Sequence, residues 1–243
     1  MAVQPTLLLI ADIGGYTRFM KLHDMSLVHA QQVIAQLLEA VIDAAGPALM
    51  LAKLEGDAAF FYMPAPADGA DDPTLLDSHA AAIYRAFHAR AADLQTNTLC
   101  PCDGCQQAGN LKIKLVGHAG GVATQKVKRL TELAGVDVIV VHRMLKNDVP
   151  VPEYLLVTKP VHAMLGAPLR NLAAPLDLQL DDIGTTPAFY IDLVTCGDAL
   201  PPPRKLRPLA RLRRHVAFAA RTLPYALHLR KACVGFRNVP DAH

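Results

Sequence analysis

The chain is 243 residues long, 52% hydrophobic but only 5% aromatic, and it has no tryptophan. That length suits one large domain or a domain with an appendage, and no run reaches the roughly 18 uncharged apolar residues of a membrane span. Collagen, wholesale disorder and an integral helical membrane protein are excluded, and Met1 to Ala11 lacks a positive leader region, so no signal peptide is expected. The net charge of +2 hides an asymmetry. Ten Lys/Arg residues lie between Arg204 and Arg237, and the only acid after Pro203 is Asp241, so the tail carries +9 and the body −7. Such a division points to an anionic partner for the tail, or to a solvated face turned toward water or the acidic body.

Thr6–Ala11 is a continuous apolar run ending at Asp12, the pattern of a buried strand. Asp24 or Ser26 caps a predicted helix with Leu27, Ala30, Ile34, Leu37, Leu38, Val41 and Ala45 on one face, and Gly46-Pro47 stops it. Ala48–Leu54 and Ala58–Met63 read as a hairpin with Gly56 at the turn. After a loop at Pro64–Asp72, Asp72-Pro73 opens a second helix carrying Ile83, Phe87 and Leu94.

A cysteine loop follows, then a strand at Leu111–Gly117, a glycine-rich turn (Gly117, Gly120, Gly121) and a returning segment from Val122. Val136–Leu145 is strand-like by its β-branched content, a preference that tertiary context overrides. Tyr154–Thr158 and Ala188–Leu193 are predicted strands, with a turn at Asp181–Thr186. Pro201-Pro202-Pro203 links the basic tail. The order β-α-β-β-α-β-β is that of an α+β, ferredoxin-like sandwich, with helices on one face of a mostly antiparallel sheet. The division is 1–200 for the folded domain and 201–243 for a basic amphipathic helical tail.

Asp12 ends the first strand and Asp57 sits at the hairpin. If those strands are neighbours, two carboxylates converge beside the open backbone of Gly14-Gly15. That suits a hard divalent cation and a triphosphate; strand-end capping by Asp accounts for the same spacing.

The wording around these residues resembles the class III nucleotidyl cyclase catalytic domains. Leu9-Ile10-Ala11-Asp12-Ile13-Gly14-Gly15-Tyr16-Thr17 is similar to their first signature, and Lys53-Leu54-Glu55-Gly56-Asp57 to their second. Leu115 to Val122 looks like their Ile-Gly-Ile-His-x-Gly segment. Gly135 to Met144 lies without a gap on their Gly-Asn-x-Val-Asn-x-Ala-x-Arg-Met helix. The resemblance runs from about Leu7 to Leu193, in the family's motif order.

It implies that Asp12 and Asp57 hold two magnesium or manganese ions, helped by the carbonyl of Ile13, and that the amides of Gly14, Gly15 and Tyr16 cradle phosphates. Lys53 and Glu132 fall at the purine-reading positions, and Arg143 at the arginine that neutralises the transferring phosphorus. The implied reaction is attack of the ribose 3′-hydroxyl on the α-phosphate of ATP, forming cyclic AMP and releasing pyrophosphate. The resemblance also implies a homodimer, each site being built from both chains.

Ile139 stands where the family has the asparagine that orients the ribose, and an isoleucine cannot donate a hydrogen bond. Loss of one such donor costs ~10²–10³ in rate. The alternative is therefore a catalytically degenerate cyclase fold acting as a nucleotide-binding sensor or interaction module.

Cys100, Cys102 and Cys105 offer three ligands for zinc, with His118, His79 or Cys196 as the fourth, or else reduced thiols in a loop. His23, His29, His79 and His88 read as surface or satisfied histidines, and His142 lies within approach of a nucleotide. In the tail, Leu206, Leu209, Leu212, Val216, Ala220 and Leu223 recur at helical intervals among arginines. This suggests an anionic membrane surface at 204–237, or a stripe docked on the body. Few aromatics interleave, which disfavours nucleic acid. The expected location is the cytoplasm, peripheral to the membrane where the tail meets lipid.

Overall fold

The computed structural model describes residues 3–21, 27–65, 75–97, 107–128, 130–196 and 205–213, together with Val216 and Ala220. Its strands are β1 (Val3–Gly14), β2 (Met50–Glu55), β3 (Ala58–Pro64), β4 (Lys112–Val127), β5 (Leu130–Ala134), β6 (Tyr154–Thr158), β7 (Ala174–Leu180) and β8 (Gly184–Asp192). They form one sheet in the order β2-β3-β1-β4-β6-β8-β7, with β5 paired to β4. Only the β4–β6 pair is parallel. The helices are α1 (Tyr16–Lys21), α2 (Leu27–Ala45), α3 (Leu75–Asn97), α4 (Val136–Arg143), α5 (Lys159–Met164), α6 (Ala167–Leu172) and α7 (Leu193–Cys196), with a 3₁₀ turn at Ala108–Asn110.

β1 is apolar at successive positions because both its faces are covered. Leu7, Leu9, Ala11 and Ile13 pack with α2 and α3, while Leu8 and Ile10 pack with Phe60, Val116, Val140, Val141 and Met144 on the other side. Full burial of a leucine or isoleucine contributes about 1.5–3 kcal/mol, so this strand is the most heavily stabilised part of the sheet. α2 buries Ala30, Val33, Ile34, Leu37, Leu38, Val41 and Ala45 at helical spacing, and α3 buries Ala80, Ile83, Tyr84, Phe87 and Ala91. The hairpin of β2 and β3 turns at Gly56, whose φ of 68° is open to glycine at no steric cost.

The α+β architecture follows the sequence expectation, with two corrections. α4 packs on the face opposite α2 and α3, so helices cover both sides of the sheet. Its β-branched run is helical because Val140, Val141 and Met144 then point together into the second core. The expected turn at Gly117–Gly121 does not exist. β4 runs straight through it for 16 residues, and beyond Ala123 it pairs with β5 but no longer with β1.

The glycines there serve close packing. A Cβ on Gly120 would overlap the Asp137 carboxylate. That carboxylate accepts the Gly121 N–H at 2.7 Å and contacts His118 Nε2 at 2.8 Å. His118 Nδ1 meets Thr158 Oγ1 at 2.8 Å. The network ties α4 to β4 and β6.

The tail begins with a bond from the Leu206 N–H to Asn97 Oδ1 at 3.0 Å, and residues 208–213 are helical. Among the described residues no helix is long and apolar enough to cross a membrane.

Replacing Gly120 by alanine must displace Asp137 from His118 and from the Gly121 amide. The expected loss is about 1–3 kcal/mol, read as a lower urea midpoint with an unchanged m-value.

Candidate nucleotide and metal site

The sheet brings the two acidic residues together. Asp12 is the antiparallel partner of Ala58 in β3 and of Lys114 in β4. The Ile13 N–H donates to the carbonyl of Asp57 at 3.2 Å, which pins the β2–β3 turn against the end of β1. Burial raises the Asp57 carboxyl to about 6, and the charge of Asp12 adds to the rise. Asp12 is itself raised by burial, which the nearby Lys114 opposes. Tyr16, at the start of α1, is raised by burial and by the charge of Asp57. Two half-buried carboxylates in mutual repulsion are a place where a cation relieves strain.

Beside them lies a cleft of about 480 Å³ lined by Gly14, Gly15, Lys112, Lys114, Asn147 and Tyr154, among others. Gly15 has φ of 88° and opens α1, with the Phe19 N–H donating to its carbonyl at 2.9 Å. A Cβ on Gly14 would crowd Lys114 Cε at 3.2 Å, so the bare glycine lets that lysine lie across the strand. Lys114 Nζ stands 6.0 Å from the centre of the Tyr154 ring, and the Tyr154 hydroxyl donates to Asn147 Oδ1 at 3.0 Å. Burial raises Tyr154, the bond to Asn147 opposes that, and the charge of Asp12 adds to it.

Lys112 is backed by Glu153 at 3.5 Å. Burial works against ionisation of Glu153, but a contact of 2.8 Å with His88, the Ile113 N–H at 3.1 Å and Lys112 outweigh it and hold the carboxyl below its ordinary value. Lys112, Lys114, Asn147 and Tyr154 were not singled out by the sequence. The signal was available only as register, since Lys112 and Lys114 fall opposite Gly14 and Asp12 once β1 and β4 are paired.

Of the residues expected at the site only Gly14 and Gly15 line this cleft; Asp12, Ile13, Tyr16, Lys53, Asp57, Glu132 and Arg143 do not. Lys53 Nζ lies 2.8 Å from Glu55, which also meets His142 Nε2 at 3.0 Å. Burial opposes ionisation of Glu55, but Lys53 and His142 prevail and lower its pKa. His142 is fixed further by its contact with the Val138 carbonyl and by an edge-on Phe60 ring at 4.8 Å. Glu132 is half-buried on β5, opposite Gln125 of β4. Arg143 donates to Asp182 at 2.8 Å, in the exposed β7–β8 turn, and its Nη1 is buried with no hydrogen-bond partner among the described residues. Ile139 is 49% exposed on α4.

Cys100, Cys102 and Cys105 lie outside the described residues, as do His23 and most of the tail. Of the fourth ligands considered for zinc, His118 has both ring nitrogens engaged by Thr158 and Asp137. Among the described residues no three His, Cys, Asp or Glu side chains gather as a metal cluster. The pair Asp12 and Asp57 therefore fits a hard cation that takes its other oxygens from phosphate and water, and does not fit a closed four-ligand zinc site.

A family model described as "Protein of unknown function (DUF2652)" matches residues 34–154. The uncharacterized protein Rv2561/Rv2562 of Mycobacterium tuberculosis (strain ATCC 25618 / H37Rv) is 47% identical over 206 residues, 85% of this chain and 94% of that one. Among solved structures, the guanylyl cyclase Cya2 superposes with a TM-score of 0.60 at 14% identity, covering 85% of this chain and all of that one, 100%. A class III adenylyl cyclase-like ATP-binding protein from Pseudomonas aeruginosa gives 0.54 at 15% identity, covering 70% of this chain and 36% of that one. At such identities the likeness to the solved structures is one of fold.

Because the proton and the fold cooperate at Asp57, its contribution to stability is greatest at low pH and is lost as pH rises from the ordinary 3.8 toward about 6. Asp57→Asn removes that penalty. In chelator at about pH 8 the variant should melt higher by a few degrees, roughly 2–4 °C per kcal/mol recovered, with no gain near pH 4. Manganese should raise the melting temperature of the wild type at about pH 8, less so below 6, and not that of Asp57→Asn.

Proposed function

The chain belongs to the DUF2652 family and carries the fold of class III cyclase catalytic domains; from that premise we propose that it binds a purine nucleoside triphosphate, ATP first, with magnesium or manganese. The observation that carries the reading is that Asp12 and Asp57 come together at the end of β1 whose next residues, Gly14 and Gly15, border a cleft with Lys112 and Lys114. Carboxylates without a cation would repel a triphosphate, and lysines alone would not account for the acid pair. Together they match an anion that arrives with its metal.

Asp12 and Asp57 would hold the cation, whose chemistry is to screen phosphate charge and polarise phosphate oxygens. Lys112 and Lys114 neutralise the remaining charge from the β4 side, with Lys112 kept in place by Glu153. The backbone at Gly14–Tyr16 approaches closely because neither glycine carries a Cβ. Lys53 would read a purine only after exchanging Glu55 for the base, and Glu132, on β5, would be its companion. The exposed apolar side chains of β2 and α4, Leu51, Leu54, Val136 and Ile139, supply a face for a homodimer.

Binding is favoured over turnover. Ile139 cannot orient the ribose, and Arg143 is committed to Asp182 within its own chain. Slow conversion of ATP to cyclic AMP is the second reading, favoured by Asp12, Lys53, Asp57 and Arg143 standing at the matching positions.

Isothermal titration with manganese and a non-hydrolysable ATP analogue tests the first reading. Wild type should bind, Asp12→Ala should not, and Lys114→Ala should bind about tenfold more weakly, the effect of losing roughly 1.4 kcal/mol of charge-assisted bonding. Absence of binding, or binding undiminished in Asp12→Ala, overturns it. Cyclic AMP formed from ATP by wild type and lost in Asp57→Ala establishes the second reading instead.

A further inference from the structure

We propose that the segment beginning at Lys205 docks this protein on an anionic lipid bilayer, through the stripe Leu209, Leu212 and Val216 and the basic residues around it. The inference is independent of the nucleotide reading. Residues 208–213 are helical, as are Val216 and Ala220, and the Arg211 N–H donates to the Arg207 carbonyl at 3.0 Å. On a helix, positions 209, 212, 216 and 220 fall within one narrow sector.

That sector faces away from the body. Leu209 is 81% exposed, Leu212 53% and Val216 58%, whereas Leu206 and Arg211 are half-buried. The alternative that the stripe docks on its own domain is thereby answered for these residues. Three large aliphatic side chains in a row, in water, call for a cover.

Charge selects the cover. Arg213 lies beside the stripe, exposed Lys205 and Arg207 precede it, Arg211 is on the half-buried face, and the ten Lys/Arg residues from Arg204 to Arg237 are opposed by Asp241 alone. A bilayer carrying anionic headgroups offers both an apolar layer and negative charge at the depth this arrangement needs. A nucleic acid answers the charge but has no use for leucines, and this stretch is poor in the aromatic side chains on which bases stack. A second copy answers the leucines, and its acidic body answers the charge in part; it is the competing occupant, and the oligomeric state of the leucine variant tests it.

The attachment point also matters. Leu206 bonds Asn97 at the end of α3, and α3 packs against the 3₁₀ turn whose Asn110 borders the lysine cleft. A tail held at a membrane would therefore bring that border of the cleft toward the surface.

Flotation of the full chain with phosphatidylcholine vesicles, and with vesicles in which a third of the lipid is phosphatidylglycerol, tests the proposal. Wild type should float with the anionic vesicles only, and increasingly less as salt rises. Leu209→Asp with Leu212→Asp, at exposed positions that leave the melting temperature unchanged, should weaken flotation by about tenfold or more. Arg207→Glu with Arg213→Glu should do the same. No flotation with anionic vesicles, or flotation undiminished in the leucine variant, overturns it. So does a change of oligomeric state in the leucine variant without loss of lipid, which assigns the stripe to a second copy. Release of the protein from vesicles by single-stranded RNA at equal charge assigns it to nucleic acid.

Discussion

The position of Asp12 depends on β1 being buried on both faces and paired on both edges. Leu7 to Ala11 leave no polar side for the strand to turn toward water, so its register against β3 and β4 is fixed by two cores at once. A slip of one residue would send Leu8 and Ile10 to the α2–α3 side and exchange every contact. That constraint delivers Asp12, Gly14 and Gly15 to the same end of the sheet as Asp57, and sets Lys112 and Lys114 opposite them. The apolar interior is thus what holds like charges near one another against their repulsion.

The charged groups at this end fall into two kinds. Some are already matched: Lys53 with Glu55 and His142, Arg143 with Asp182, Glu153 with His88 and Lys112. Asp12 and Asp57 are not matched in this way, and burial pushes both toward the protonated form. This imbalance sets the acid pair apart from the ion-pair network around it. Lys53 and Arg143 are held in ion pairs within the chain.

Much of this was legible beforehand. The run into Asp12, the face of α2 and the Gly56 hairpin state their structures in periodicity and turn chemistry, and the motif around Lys53–Asp57 pointed to the acid pair. Gly117, Gly120 and Gly121 misled, because glycine marks a bend and a close approach equally well. Only the position of Asp137 in space separates the two. β7 went unrecognised, since its proline, aspartate and glutamine face outward on an exposed strand. α4 was ambiguous by its valines, whose strand preference yields to the burial of Val140 and Val141, and it was the resemblance of Gly135–Met144 to the cyclase helix that pointed to a helix. The lysines of the cleft carry no local signature; they matter through long-range pairing, which no window of sequence displays.

The reach of β4 beyond β1 has a further physical consequence. Past Ala123 the strand is paired, among the described strands, with β5 alone, so the two extend as a ribbon whose outer edges have no described strand partner. Such edges invite pairing with another chain. Thr124, Gln125 and Lys126 are exposed there, followed by Lys128 in a left-handed turn with φ of 56°. Polar and cationic side chains on a short, sharply turned ribbon discourage the stacking of one molecule on the next. The extension of the sheet thus carries its own guard against aggregation.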